Sequence, residues 1–204
     1  MIVIDRIYLA SRSPRRRELL HQVGVRFDPM PFRASPRQDP ETGEEPLPGE
    51  TPEDYVRRVA LAKASHALRM VGSRRLMPRP VLAADTTLDV DGDIIGKPVD
   101  EADAFSILTR LSGRSHRVLT AVAVAHGEWT ECLLSASEVR FRALDEGEIR
   151  GYIVGGEPMD KAGAYGIQGR AAMFVEEIRG SHSGIVGLPL CETALLLRRF
   201  GYPI

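Results

Sequence analysis

The sequence predicts an α/β fold around a mixed sheet. Helical stretches interleave with β-rich ones, and two pairs of β segments are joined by tight turns. No repeat with a period of roughly 20–50 residues points to a solenoid or propeller.

Each element has its own signal. Residues 2–10, IVIDRIYLA, are β-rich and end in small side chains. Pro14 opens a helix, RRRELLHQV, which Gly24 closes; proline suits a first helical turn and glycine the position past the end. VRFDPMPF reads as a second strand. Residues 34–50 hold four Pro and two Gly among several acids and read as an exposed loop. In TPEDYVRRVALAKASHALRMVG, residues 51–72, Thr51 is the N-cap, Pro52 the first helical residue, and acids fill the first turn. Tyr55, Val56, Val59, Ala60, Ala62 and Lys63 keep helical spacing, which places Lys63 at the edge of the buried face. PVLAADTTLDVDGDIIGKPV predicts a strand, a turn at Asp91–Gly92 and a short returning strand. EADAFSILTRLSG is a helix ending at Gly113, and SGRSH at 112–116 reads as a helix end and turn. HRVLTAVAVAHGEWTECLLSASEVRFRAL gives two long strands about Gly127. LDEGEIRGYIVGG is a helix, 155–170 a Gly-rich loop, AMFVEEI a strand and LCETALLLRRF a final helix.

Composition narrows the function. At this length one domain, 1–204, is expected, with a core that needs no staples. A net charge of −1 argues against nucleic-acid binding through a basic field. The opening MIVIDRIYLASRSPRRR is too short and interrupted for a signal peptide, and no run approaches the roughly 18 apolar residues of a membrane span. Cys132 and Cys191 lack metal spacing and read as small core residues in a reducing compartment, so a cytoplasmic address is expected. The 27 basic residues comprise 24 Arg and only three Lys: Lys63, Lys97 and Lys161. Base composition accounts for such a bias in general. The surviving lysines still suggest places where a compact ammonium is wanted.

Four segments can carry chemistry. Ser11–Arg17, SRSPRRR, joins two hydroxyls and three consecutive Arg to a helix start, where backbone N–H groups and guanidinium forks favour phosphate. The same residues also fit a capped, solvated surface helix. Asp85 follows an apolar run at the expected end of a strand, where an acid commonly faces a cleft; such a carboxylate binds Mg²⁺ or takes a proton from water, or else starts a turn. GKPVD at 96–100 projects Lys97 from a turn, which also suits simple solvation. GGEPMDKAGAYGIQG, 155–169, holds an Asp160–Lys161 pair and Gln168, whose amide both donates and accepts and so suits a base edge; the alternative is a connector loop. Together these supply a triphosphate cradle, a carboxylate for metal and water, lysine charges and a polar reader. That set suits hydrolysis of a nucleotide phosphoanhydride with a divalent metal. A Walker loop, a GxGxxG turn, a GxSxG elbow and an HExxH pair are all absent.

LASRSPRRRELL, VALAKA, AADTTLDVDGDIIGKPVD, EPMDKAGAYGIQGRAAMFVEEIRG and GLPLCET together resemble the Maf-type nucleotide pyrophosphatases over nearly the whole chain. The resemblance implies an elongated, twisted mixed sheet flanked by helices, related to inosine-triphosphate pyrophosphatases, with two lobes around a cleft. It implies a cytoplasmic homodimer that cleaves nucleoside triphosphates to monophosphate and pyrophosphate with Mg²⁺ or Mn²⁺, without nucleic-acid or membrane partners. By position, Ser11, Arg15 and Arg16 match the phosphate-binding segment, Lys63 and Lys97 the catalytic lysines, and Asp85 the proton acceptor and metal ligand. Asp160 and Lys161 match a substrate-binding pair. Thr86 and Gln168 resemble the dTTP/UTP subfamily rather than the 7-methyl-GTP one. The family's acidic pair after the second strand has no clear counterpart; Asp39, Glu41, Glu44 and Glu45 are the candidates. A nucleotide-binding regulator of cell division without turnover is the alternative reading.

Overall fold

A computed structural model describes residues 4–30 and 43–204. Its architecture is the expected one: a mixed sheet with helices on both faces. The strands are β1 (Ile7–Leu9), β2 (Phe27–Pro29), β3 (Val81–Val90), β4 (Asp93–Ile95), β5 (Ser115–His126), β6 (Trp129–Phe141) and β7 (Val175–Arg179). The helices are α1 (Pro14–Gln22), α2 (Pro52–Ser73), α3 (Glu101–Leu111), α4 (Glu146–Ile153), α5 (His182–Val186) and α6 (Leu190–Arg199).

Strand order is β2-β1-β3-β5-β6-β7, with β4 also on β3. β1 runs parallel to β2 and β3, and the remaining pairs are antiparallel. One edge of β3 is laddered to β5 from Val81↔Ala125 through Asp89↔Arg117. Its other edge is shared. Val81 and Leu82 pair with β1, whereas Leu88–Val90 pair with β4. The strand therefore forks, and Asp85 and Thr86 lie in the gap between the two partners.

Local chemistry explains the elements. Thr51 accepts from the Asp54 N–H at 3.2 Å and Pro52 opens α2, as the sequence predicts. Asp145 and Glu148 form a capping box on α4. α2 lays Val56, Val59, Ala60, Ala64 and Ala67 against Val81, Ala83, Leu119, Ala121 and Ala123 of the sheet. Small side chains on both surfaces bring the helix close. α1 and α6 cover the opposite face through Leu20, Leu196 and Leu197. A further cluster, with Leu88, Leu108, Phe141, Tyr152 and Tyr165, fills the end beyond the fork.

Several boundaries differ from the sequence reading. β1 and β2 are three residues each, shorter than the β-rich runs that suggested them. Residues 170–174 form a 3₁₀ turn, so β7 begins later than AMFVEEI predicts. α5 is an additional short helix, capped by Ser181. Ser115 and His116 belong to β5 rather than to a turn. Cys132 is partly buried, but Cys191 is exposed on α6 and is not a core residue. Residues 43–50 are tied to α2 rather than projecting freely: Arg58 donates to Gly43 O at 2.6 Å and to Glu50, and Tyr55 donates to Glu44 O at 2.8 Å.

Candidate active site

The fork in β3 opens onto a cleft of about 710 Å³. Ser11, Arg15, Arg16, Lys63, Asp85, Thr86, Lys97, Asp160, Lys161 and Gln168 all line it. Every site residue expected from the sequence thus reaches one cavity, from five separate stretches of chain. Among the described residues six basic side chains and four carboxylates border it, which favours an anionic occupant.

Asp85 does not end a strand, contrary to expectation: it sits mid-strand, and β3 continues to Val90. Among the described residues the edge is open there, because β1 has stopped and β4 has not begun. Alternation along β3 puts Asp85 on the α2 face with Val81 and Ala83, and Thr86 on the opposite face with Leu82 and Ala84.

On the α2 face, Lys63 Nζ donates to Asp85 Oδ1 at 2.8 Å and pairs with Glu44 Oε1 at 2.5 Å. Burial alone would lower the Lys63 pKa, but the two carboxylates outweigh it and hold the ammonium above its ordinary value. Burial likewise pushes the Glu44 carboxyl up, but Lys63, joined by Lys97 and Arg16, more than offsets it and holds its pKa below the usual value. Of the two candidates for the acidic position that lie among the described residues, Glu44 is therefore the one at the site. Glu45 carries no such contact, and Asp39 and Glu41 lie outside the described residues.

On the other face, Arg16 is the hub. Its Nε donates to Gly187 O at 2.7 Å, and its terminal nitrogens reach Ser11 Oγ and Thr86 Oγ1, each at 3.3 Å. Thr86 Oγ1 lies 3.0 Å from Thr120 Oγ1, which donates to Gly184 O. Burial lowers the Arg16 pKa, countered by Asp85, yet a guanidinium stays charged. Ser13 caps α1 by accepting from Arg16 N at 3.4 Å, so the positive end of that helix points at the cleft.

The far wall is the 155–170 loop, which holds the 3₁₀ turns Glu157–Asp160 and Ala162–Ala164 and runs into a third at Arg170–Phe174, rather than forming a loose connector. Lys161 Nζ is held by Glu157 O at 2.6 Å and by Asp160. Asp160 also lies 3.8 Å from Arg15. Burial would raise the Asp160 pKa, but Lys161 and Arg15 bring it below its ordinary value. Gln168 stands exposed at the rim, and Lys97 faces the same space from the turn after β4. Two contributors were not singled out in the sequence. Glu157 lines the wall, and an acid just before proline in a Gly-rich loop was its only signal. Tyr165, flagged only as a packed residue, bonds buried His116 at 2.8 Å.

Among the described residues no helix is long and apolar enough to cross a membrane. The model of the family described as "Maf-like protein" matches residues 6–200. A protein named dTTP/UTP pyrophosphatase from Dechloromonas aromatica is 62% identical over 197 residues, covering 97% of this chain and 98% of its own. Proteins of the same name from Aromatoleum aromaticum and Cupriavidus pinatubonensis are 62% and 55% identical; the matches cover 98% and 96% of this chain and 97% and 96% of theirs. Among solved structures, the Staphylococcus aureus Ham1 protein shows a TM-score of 0.45 at 15% identity over 67% of this chain and 71% of that one, a likeness too weak to build on.

Proposed function

The chain belongs to the Maf-like protein family, and from that premise we propose that it hydrolyses dTTP and UTP to the monophosphate and pyrophosphate. The observation that carries the mechanism is the Lys63 bridge: one buried ammonium holds two carboxylates, Asp85 and Glu44, at the open edge of β3.

In this reading the triphosphate lies against the start of α1, with Arg15, Lys97 and Lys161 offsetting its charge. Ser11, Arg16 and Thr86 form a preorganised hydrogen-bonded wall behind it. Lys63 holds Asp85 Oδ1, and the second carboxylate oxygen is assigned the proton of a water attacking the α-phosphorus. Gln168 reads the pyrimidine edge, its amide able to donate to one base oxygen while accepting from the ring N–H.

Asp85 and Glu44 are also the residues assigned to a divalent metal. Mg²⁺ is commonly held by one or two carboxylates with substrate phosphates and waters completing the shell, so a two-carboxylate set fits it. Among the described residues no cluster of three or more His, Cys, Asp or Glu offers an all-protein cage. When bound, the ion supplies positive charge to the phosphate oxygens. Homodimerisation and cytoplasmic residence belong to the same proposal; the first rests on the family resemblance alone, the second on that and on the two free cysteines.

The test is product identity with Mg²⁺ or Mn²⁺ present. Pyrophosphate from dTTP and UTP is expected, and orthophosphate would contradict attack at the α-phosphorus. Asp85→Asn should lose at least about 100-fold in turnover, the scale of a general base, with its melting temperature retained. Near-normal turnover would remove Asp85 from that role. A wild-type protein that binds these nucleotides without turning them over would favour the regulatory reading.

A further inference from the structure

We infer that Glu157 is a specificity-positioning residue: its carboxylate fixes the turn that carries Gln168. The inference rests on the assignment of Gln168 as the base reader.

Glu157 is half-buried beneath that turn. Its Oε1 accepts from Tyr152 O–H at 2.9 Å, and its Oε2 accepts from Arg170 N–H at 3.1 Å. Tyr152 Oη in turn accepts from Gly166 N–H at 3.2 Å. One carboxylate therefore ties down the chain on both sides of Gln168, directly at Arg170 and through Tyr152 at Gly166. Tyr152 is almost fully buried, so this relay has a rigid base. The Glu157 carbonyl also accepts from Lys161.

Packing over the carboxylate is equally close. A Cβ on Gly169 would lie 2.0 Å from Glu157 Oε1. The Gly169 φ of −103° suits any residue, so glycine is required there by the contact and not by the backbone. A carboxylate on an exposed loop normally finds solvent. This one accepts from two donors of its own loop and helix, Tyr152 O–H and Arg170 N–H, and a glycine leaves room for it. The arrangement holds a backbone segment in place without touching the reacting phosphate.

The experiment compares kcat/KM for dTTP and dCTP in wild type, Glu157→Ala, Tyr152→Phe and Gly169→Ala. Glu157→Ala is expected to cut the dTTP preference by about tenfold through a raised KM, the scale of one misplaced hydrogen bond. Its kcat should hold within about twofold, because Asp85 and Lys63 stand on other elements. Tyr152→Phe should shift selectivity the same way and carries the test if Glu157→Ala does not fold. Gly169→Ala should do likewise alone, but add nothing in a Glu157→Ala background, where the group it collides with is gone. A merely structural role would lower stability and leave the preference unmoved. A selective wild type whose preference survives Glu157→Ala and Tyr152→Phe overturns this inference alone. A wild type without any preference overturns the base-reading assignment as well.

Discussion

Replacing Lys63 with Met should destabilise the fold at high pH and spare it in acid. The ammonium and the Asp85 side chain are each 14% exposed, while Glu44 is 40% exposed. Breaking a buried pair by removing one partner costs about 3–5 kcal/mol. The partly solvated Glu44 reduces that, so about 2–4 kcal/mol is expected near pH 8, or roughly 6–12 °C in melting temperature for a chain of this size. The sign with pH follows from the carboxyls. In the wild type, Lys63 holds the folded Glu44 pKa below its ordinary value, so the stability it gives is present above that value and lost as pH falls through the folded pKa. In Lys63→Met Glu44 keeps the attraction of Lys97 and Arg16 but loses its bonded ammonium, which raises its proton affinity in the folded state, and acid relieves the repulsion. The wild-type advantage should therefore be large at pH 8 and shrink towards pH 4, as read from thermal melts across that range. A constant difference, or none, would refute the bridge as the source of stability. Lys63→Arg should restore much of the stability but not the turnover, since the guanidinium fork cannot take the place of a compact ammonium between two close carboxylates.

Two further outcomes follow from other parts of the fold. Burial pushes the His116 pKa down to about 4, so the folded state resists a proton that the unfolded chain accepts near 6.5. Stability is full above pH 6.5 and should fall by up to about 3 kcal/mol towards pH 4; denaturant midpoints in His116→Phe should lose that slope between pH 6.5 and 5. Gly163→Ala should cost about 2–4 kcal/mol, seen as a lower denaturant midpoint, because its φ is +72° and a Cβ would lie 2.1 Å from Leu88 Cδ2.

Much of this molecule was legible in the chain. The start of α2 follows from Thr51 and Pro52, and the β3–β4 and β5–β6 hairpins from Asp91–Gly92 and Gly127, because caps and turns are local chemistry. What escaped is non-local. Asp85 looks like a strand end since nothing in LAADTTLD reveals that one edge changes partner there. His116 looks like a turn residue because Tyr165, its partner, lies 49 positions away. α5, five residues long, is too short to show a helical period. Glu44 could not be preferred to Glu45 for the acidic position until it was seen beside Lys63. Glu157 gave little sign of itself because its donors, Tyr152 and Arg170, have no pattern linking them.

The three lysines share a cavity but not a setting. Lys63 is buried between carboxylates, Lys161 is braced by its own loop, and Lys97 is exposed at the rim.

The fork in β3 bears on how alterations of the chain would be tolerated. Asp85 and Thr86 point to opposite faces, so a single-residue slip that carried Thr86 into the place of Asp85 would leave Lys63 facing a hydroxyl instead of a carboxylate. Nine consecutive pairings with β5 stand against that slip. A one-residue deletion in residues 81–84 should thus be far more damaging to catalysis than its effect on the hydrophobic core suggests. The chemistry is kept in phase by counting along a strand, and the ladder on the closed edge does the counting.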